Sequence, residues 1–304
     1  MSDIIQLLPD HVANQIAAGE VVQRPASIVK ELLENAIDAG ATKIELIVEE
    51  AGRNLIKVAD NGSGMSETDA RMAFERHATS KIRTTEDIFH IATKGFRGES
   101  LDSIAAVAQV ELKTKKQDAE IGTVIYIEGG ELQFQEPAQT TEGAVFSVKN
   151  LFFNVPARRK FLKSNNIEFR HIIDEFQRVA LAHENLEFSL YHNDEVIFNL
   201  RKGSQMQRIV DIFGRKLHPL LVPIKEDLGW VKLNGFVGKP EAAKKSRGEQ
   251  FFFVNGRYFR SPYLNRAVQE AFEGLLQSNY SPSFFLYLEL DPEKIDVNIH
   301  PQKT

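Results

Sequence analysis

The sequence predicts an α+β protein with two domains, and three patterns support this fold class. An amphipathic helix over residues 24–39 is followed by alternating apolar and polar residues over 43–58, which is typical of a β-hairpin. The alternation returns over 110–129 and 143–148, as in an antiparallel sheet. After a polar break, helix and strand patterns alternate again and predict a second, smaller α/β domain over residues 204–304.

The same patterns predict further elements. Helices are expected over 66–78, 205–213 and 262–276, and Asn-Gly at 255–256 predicts a hairpin turn. The mixed-charge segment 113–118 is interpreted as a hairpin tip without a function.

Length and composition limit the possible protein classes. The 304 residues, 42% of them hydrophobic and 26% charged, are enough for one large or two ordinary domains. The chain has no cysteine, which excludes disulfide bridges and thiolate metal sites. Residues 1–10 are too short and polar for a signal peptide, and the longest apolar run, near 284–288, has the length of a strand. We therefore expect a soluble cytoplasmic protein with no membrane contact.

The formal net charge of −5 argues against a protein that is permanently coated with DNA. It leaves room for a local basic groove, because phosphate contacts depend on where the lysines and arginines lie. The candidates for weak, sequence-independent and salt-sensitive DNA contacts are Arg158, Arg159, Lys160, Lys244, Lys245, Arg247, Arg257 and Arg260. For the run 158–160, a solvated charge cluster without a function is an equally good explanation.

The first predicted helix, residues 24–39, carries a line of polar residues. Pro25 suits its first turn and Gly40 suits the position after its end. Glu31, Asn35 and Asp38 follow one another at helical spacing beside the apolar stripe, so two carboxylates and an amide share one face. By itself, such a line is usually only a solvated helix face.

Three loops contain groups that suit phosphate or base contacts. The strand near 55–58 runs into D-N-G-S-G-M at 60–65, which alone is a common tight turn. The run H-A-T-S-K at 77–81 offers hydroxyl and ammonium donors. The run K-G-F-R-G-E-S-L at 94–101 places glycine amides before a predicted helix, which suits an anion or a lid over a triphosphate.

Together, E-x-x-x-N on a helix, a hairpin and D-x-G-x-G resemble the ATP-binding site shared by DNA gyrase, the heat-shock chaperones of the ninety-kilodalton class, sensor histidine kinases and the MutL mismatch-repair proteins. The run at 94–101 and L-F-F-N-V-P-A-R-R-K-F-L at 151–162 resemble MutL most specifically. V-N-G-R from Val254 and D-V-N-I-H-P from Asp296 resemble its second domain. The resemblance spans Leu8 to Lys303 and implies a two-layer α/β sandwich ATPase domain (Bergerat-type) over 1–203. It implies that the second domain resembles the ribosomal S5 domain 2-like fold.

The resemblance implies ATP and Mg²⁺ as cofactors and ATP hydrolysis as the reaction, in a chain without the G-x-x-x-x-G-K-[ST] phosphate loop. Asn35 would bind magnesium, Glu31 would activate water, and Asp60 would accept a hydrogen bond from the adenine amino group. Gly62 and Gly64 would let the backbone approach the base. The other expected nucleotide contacts are Met65, Thr79, Ser80, Lys81, Gly95, Phe96, Arg97, Gly98 and Glu99, with Lys303 as a second catalytic residue that reaches the γ-phosphate.

Two stretches depart from the family pattern. The family usually has Gly-Thr where this chain has Gly143-Ala144, so a hydroxyl beside the base is missing and recognition should depend more heavily on Asp60. The lid helix reads Ser100-Leu101-Asp102 in place of Ala-Leu-Ala.

The resemblance also implies partners and a larger context. The segment over 8–22 would wrap around a second subunit when ATP binds, which gives an ATP-dependent homodimer. MutS and a downstream repair nuclease or helicase would be the protein partners, with the protein near the nucleoid during repair. We expect an N-terminal fragment, with any endonuclease outside this chain. The alternatives are a type II topoisomerase-like or chaperone-like ATPase, and a nucleotide-sensing DNA clamp that does not need turnover.

Overall fold

The computed structural model describes residue 7 and residues 9–76, 78–79, 98, 100–245, 249–277 and 279–291. These residues form two compact units. The first unit holds the described residues up to 176 together with 186–199, and the second holds 177–185 and the described residues from 200 onward. The predicted boundary near Gly203 stays a prediction.

The first unit is built on one eight-stranded sheet. Its helices are α1 (Asp10–Val21), α2 (Pro25–Asp38), α3 (Glu67–Met72), α4 (Ser100–Val107), α5 (Pro156–Phe161) and the larger part of α6 (Asn165–Ala182). Its strands are β1 (Lys43–Glu49), β2 (Leu55–Asp60), β3 (Gln109–Lys115), β4 (Gly122–Glu128), β5 (Glu131–Ala138), β6 (Gly143–Lys149), β7 (Glu187–His192) and β8 (Glu195–Leu200). The strand order is β5-β4-β3-β6-β2-β1-β7-β8, and β1 and β7 are parallel.

Residues that lie directly opposite one another form rows across this sheet. One row consists of Leu190, Leu46, Val58, Phe146, Leu112 and Ile125, and every member is buried. Opposite residues point to the same face, so this row forms the core beneath the helices. Helix α2 packs on β2, and α4 packs on β3 and β4. The α+β fold with a two-layer first domain is therefore confirmed.

The second unit has its own sheet and aromatic core. It contains α7 (Gln205–Phe213), α8 (Pro262–Ala271) and the strands β9 (Leu221–Asp227), β10 (Val231–Gly238), β11 (Gln250–Val254), β12 (Arg257–Phe259) and β13 (Phe284–Leu290). The strand order is β12-β11-β13-β10-β9, with β11 and β13 parallel. Ile209 of α7 packs with Phe253, Phe285 and Tyr287. Helices and strands alternate here as predicted.

Several predicted elements have the expected extent. Helix α2 lies within the predicted 24–39, α7 matches its prediction residue for residue, and the hairpin turn at Asn255-Gly256 is confirmed by φ angles of 48° and 72°. None of the helices in the described ranges combines the length and the apolar character needed to cross a bilayer.

Two predicted helices are shorter than expected. The prediction over 66–78 was wrong beyond Met72, because the N–H groups of Phe74 and Glu75 bond three residues back and Phe74 turns into the core beside Phe146. Helix α8 ends at Ala271, ahead of the predicted Leu276, and Gly274 follows in a left-handed conformation with φ +79°.

The sequence patterns also missed β5 and α5. Strand β5 lies at the edge of the sheet and most of its side chains are exposed, so it lacks the alternation that reveals a half-buried strand. Its Pro137 is compatible with an edge strand. Helix α5 is only 6 residues long and buries none of its side chains, so no apolar stripe marks it.

Candidate functional site

The predicted line of polar residues lies on the partly exposed side of helix α2. Pro25 occupies its first turn, and the buried side consists of Pro25, Ala26, Ile28, Val29, Leu32, Leu33 and Ala36. Glu31, Asn35 and Asp38 are partly exposed on the remaining side. The helix therefore offers oxygen atoms on one face while the other face fixes it against the sheet.

The end of α2 is packed directly on residues 61–65, which follow β2 and form the glycine-rich loop. The N–H of Ser63 donates to the carbonyl of Ala39 at 2.9 Å, and the N–H of Ala39 donates to the carbonyl of Asn35 at 2.9 Å. A Cβ on Gly62 would lie 2.8 Å from the Ala39 oxygen. Only glycine fits here, so the loop and the helix end form one unit one turn beyond Asn35.

Asn61 clamps the start of the same loop. Its Oδ1 accepts from the N–H of Thr42 at 2.9 Å and of Lys43 at 2.8 Å, and its Nδ2 donates to Thr42 Oγ1 at 2.8 Å. Sequence reasoning gave Asn61 no role. The available signal was its place in an Asp-Asn-Gly turn, where an asparagine side chain often bonds nearby backbone groups.

Asp60 is a carboxylate in an otherwise core-facing row. It is the last residue of β2 and lies between Ile44 of β1 and Ala144 of β6. Its Oδ1 accepts from the N–H of Gly62 at 2.8 Å. Burial raises its pKa from 3.8 to about 6, although hydrogen bonds from the N–H groups of Gly62 and Ala144 act in the opposite direction. With a pKa near 6 this carboxylate is ionised at neutral pH, and an additional hydrogen-bond donor would stabilise its charge.

The far end of the loop is held by Thr114. Gly64 has φ +62°, and a Cβ there would lie 2.0 Å from the carbonyl of Lys115. The N–H of Met65 donates to Thr114 Oγ1 at 3.0 Å, and that hydroxyl donates to the carbonyl of Gly143 at 2.7 Å. Sequence reasoning treated 113–118 as a hairpin tip without a function and missed Thr114. Its signal was the buried position in the alternation after Val110 and Leu112.

Part of the expected lid falls within the described residues. Gly98 has φ +63°, and a Cβ on it would lie 2.5 Å from the carbonyl of Ala78. The structure therefore brings together the two stretches that carry Thr79 and Gly98. Asp102, the acid that departs from the family pattern, forms an ion pair with Arg76 at 3.3 Å. The expected contacts Ser80, Lys81, Gly95, Phe96, Arg97, Glu99 and Lys303 lie outside the described residues.

Carboxylate and imidazole side chains form no metal cluster in the part of the chain that the structure describes. Across the residues whose positions are described, no group of three or more His, Asp or Glu side chains is placed to hold a metal ion. The amide oxygen of Asn35 belongs to the hard oxygen donors that Mg²⁺ prefers. Mg²⁺ usually takes only one or two protein ligands and completes its shell with phosphate and water.

The proposed basic cluster at 158–160 divides into an inward and an outward part. Arg158 lies against α1, since a Cβ on Gly19 would be 1.8 Å from a guanidinium nitrogen. Its Cζ lies 6.0 Å from the centre of the Phe152 ring. Arg159 and Lys160 are exposed. The interpretation of all three as a surface patch was wrong for Arg158, whose guanidinium packs inward.

The second unit's basic candidates also have partners. Lys244 forms an ion pair with Glu249. Lys245 lies 5.9 Å from the centre of the Tyr280 ring. Arg260 donates from Nε to the Tyr258 hydroxyl at 3.2 Å. Arg257 also has an interaction partner, and Arg247 lies outside the described residues.

Two family models match the chain. Residues 23–141 match the histidine kinase-, DNA gyrase B- and HSP90-like ATPase model. Residues 209–304 match the model described as DNA mismatch repair protein, C-terminal domain. The first match contains α2, the glycine-rich loop and β3, so it covers the site described above.

Curated relatives and solved structures are similar over most of the chain. The DNA mismatch repair protein MutL of Christiangramia forsetii is 63% identical over 304 residues, which is all of this chain and 49% of the relative. That of Flavobacterium psychrophilum is 64% identical, again over the whole chain and 50% of the relative. The chain thus spans about half the length of the curated relatives it matches.

Among solved structures, the Aquifex aeolicus MutL ATPase domain complexed with ADP matches this chain with a TM-score of 0.67 at 26% identity. The match covers 90% of this chain and 94% of that structure. The N-terminal domain of a DNA repair protein matches with a TM-score of 0.82 over 95% of this chain and 90% of that one, at 24% identity, and so supports the fold alone.

Proposed function

Because the chain belongs to the MutL family of DNA mismatch repair proteins, we propose that it binds ATP and hydrolyses it slowly with Mg²⁺. The observation that carries this proposal is Asp60, a half-buried carboxylate with a raised pKa at the end of a core strand. It is bordered by Gly62 and Gly64, which keep side chains out of the loop around it. A buried acid of this kind is a common mark of a functional site.

Asp60 recognises the base in this proposal. An ionised carboxylate only accepts hydrogen bonds, so it pairs with the exocyclic amino group of adenine. Guanine carries a carbonyl oxygen at that position, and two acceptors facing each other repel. The burial that raises the pKa of Asp60 also makes an added donor more valuable, which favours adenine.

Asn35 and Glu31 act on the phosphate side of the nucleotide. The Asn35 amide oxygen would hold a magnesium ion, which neutralises charge on the phosphate oxygens when bound. Glu31 lies one helical turn earlier on the same face and would orient and deprotonate the attacking water. Both roles need side chains that reach the surface of α2, and Glu31 and Asn35 are partly exposed there.

The remaining phosphate contacts come from the lid and the second domain. Thr79 and Gly98 belong to two stretches that meet at Ala78. Donors on both would close on the triphosphate. Ser80, Lys81, Gly95, Phe96, Arg97 and Glu99 would complete the lid, and Lys303 would reach the γ-phosphate from the second domain.

The nucleotide state would control assembly. ATP binding would drive homodimerisation through the segment over 8–22, which includes all of α1, and hydrolysis would reverse it. The dimer would then bind DNA weakly and independently of sequence, and would engage MutS and a downstream repair nuclease or helicase. This work would take place in the cytoplasm near the nucleoid. Any endonuclease activity would lie outside this chain.

The test is ATP binding and turnover by the protein and by Glu31→Ala and Asn35→Ala, with light scattering to follow the dimer. We expect Glu31→Ala to bind ATP and dimerise without turnover, and Asn35→Ala to lose magnesium-dependent binding. Glu45→Ala is the control, since Glu45 lies between the core-facing Ile44 and Leu46 and points to the opposite face of the sheet. Normal hydrolysis by Glu31→Ala would refute the catalytic assignment.

A nucleotide-sensing DNA clamp is the second candidate. It would use the same nucleotide site but would not need turnover, so Glu31→Ala, which binds ATP without hydrolysing it, would keep full DNA and partner binding. A topoisomerase-like or chaperone-like role is not favoured, because MutL proteins match the whole chain at 55–64% identity.

A further inference from the structure

Thr114 is a buried hydroxyl that joins two backbone segments. Its side chain is fully buried, and its Oγ1 accepts from the N–H of Met65 at 3.0 Å while it donates to the carbonyl of Gly143 at 2.7 Å. Met65 ends the glycine-rich loop, and Gly143 begins β6. One oxygen atom thus satisfies a donor on one segment and an acceptor on the other.

Thr114 also lies in the same row as Asp60. Asp60 is directly opposite Ala144 on β6, and Ala144 is directly opposite Thr114 on β3. The three side chains therefore point to the same face of the sheet, with only the small Ala144 between the carboxylate and the hydroxyl. Gly143 is pressed against Asp60, since a Cβ on it would lie 2.0 Å from the Asp60 carbonyl oxygen.

These contacts make the geometry of Asp60 depend on Thr114. The Asp60 carboxylate is oriented by the N–H of Gly62, three residues before Met65 in the same loop. Without the hydroxyl, the N–H of Met65 and the carbonyl of Gly143 would lose a shared partner. The loop would then move to recover hydrogen bonds, and the donor that orients the Asp60 carboxylate would move with it.

We propose that Thr114 is a positioning residue of the nucleotide site, which sets the affinity for ATP and the preference for adenine over guanine by fixing the loop around Asp60. This proposal rests on the proposed function. It assigns Thr114 no contact with the reacting phosphates. The effect should therefore appear in nucleotide affinity and KM, with kcat at saturating ATP nearly unchanged.

The protein offers a closely matched control. Thr123 of β4 lies directly opposite Thr114, is also buried, and donates to the carbonyl of Glu136 at 3.2 Å. Its hydrogen bond is made to β5, whereas the hydrogen bonds of Thr114 are made to Met65 and Gly143. Thr123→Val removes a buried hydroxyl from the same row and the same sheet, so it reports the general effect of such a loss on stability.

The experiment measures ATP and GTP dissociation constants, kcat, KM and urea unfolding for the protein, Thr114→Val, Thr114→Ala, Thr114→Ser and Thr123→Val. Thr114→Val should weaken ATP binding roughly tenfold, or about 1.4 kcal/mol, and reduce the ratio of ATP to GTP affinity. Thr114→Ala, where water can enter, should show a smaller loss. Thr114→Ser should restore binding, and Thr123→Val should bind ATP normally even where its stability falls.

Two results would overturn the inference. One is Thr114→Val with normal ATP affinity and normal selectivity. The other is a loss of affinity in Thr123→Val as large as that in Thr114→Val. If Thr114→Val does not fold, the comparison of Thr114→Ala with Thr114→Ser decides, because equal affinities would show that the hydroxyl has no effect. If the unaltered protein fails to bind ATP, the proposed function fails instead, whatever the variants do.

Discussion

Replacement of Asp60 by asparagine should stabilise the fold and remove ATP binding. Burial raises the pKa of the Asp60 carboxyl from 3.8 to about 6, so the charged form destabilises the folded protein at neutral pH. Asparagine keeps an oxygen that can accept from the N–H of Gly62 and carries no charge. It also places an amide where adenine needs an acceptor, so the same change weakens binding.

The magnitude follows from the linkage of protonation to folding. A pKa that is higher in the folded state means that the folded protein holds the proton more tightly than the unfolded chain. This contribution to stability is therefore lost as the pH rises from about 4 to about 6. A shift of about 2 units corresponds to about 3 kcal/mol, and contact with water at this half-buried group reduces it to about 2 kcal/mol.

Urea unfolding at two pH values tests this reasoning. Asp60→Asn should be about 2 kcal/mol more stable than the unaltered protein near pH 7.5, and about half of this difference should remain near pH 5. ATP titration near pH 7.5 should show binding only for the unaltered protein. The affinity of the latter should fall as the pH drops below about 6 and Asp60 takes up its proton.

Asp69→Asn is the control, because the pKa of Asp69 is lowered in the folded protein whereas that of Asp60 is raised. A hydrogen bond from the Ser66 hydroxyl lowers the pKa of Asp69, so its ionised form stabilises the fold. Asp69→Asn should therefore lower stability slightly near neutral pH and leave ATP binding intact. The reasoning about Asp60 would be refuted if Asp60→Asn were less stable than the unaltered protein at both pH values, or if the difference did not change with pH.

Three further predictions concern single contacts. Gly64→Ala should abolish ATP binding and lower the unfolding free energy by at least about 1 kcal/mol, measured in urea, because φ is +62° and the Cβ would meet the Lys115 carbonyl. Arg208→Ala should lower the unfolding free energy by about 2–4 kcal/mol, because this fully buried guanidinium donates hydrogen bonds to four backbone carbonyls. A variant as stable as the unaltered protein would contradict this. Arg158→Ala should lower stability with an unchanged salt dependence of DNA binding, whereas Arg159→Ala should reduce the logarithmic salt slope by about 1 in a titration series.

The sequence predicted the parts of the site that depend on local pattern. Helix α2 follows from Pro25, the apolar stripe and Gly40, and the end of β2 at Asp60 follows from the alternation before two glycines. These signals lie within short stretches of chain. The type of element and the position of the expected acid could therefore be inferred without knowing how the strands pair.

The missed features depend on pairing between distant segments. Thr114 acquires its role from being two strands away from Asp60, and that register cannot be derived from β3 alone. Arg158 looks like a surface cation in sequence because its contact with Gly19 spans two separate helices. Edge strand β5 has no buried face, so its sequence lacks the alternation of apolar and polar residues that predicts a strand.

The contact between Gly19 and Arg158 means that the surface charge of α5 is controlled from α1. The atom that a Cβ at position 19 would meet is the far end of a flexible side chain. A small substitution at Gly19 would therefore leave the backbone in place and displace the guanidinium from Phe152 into solvent. Arg158 would then join Arg159 and Lys160, so a neutral change in one helix would add a positive charge to the outer face of another.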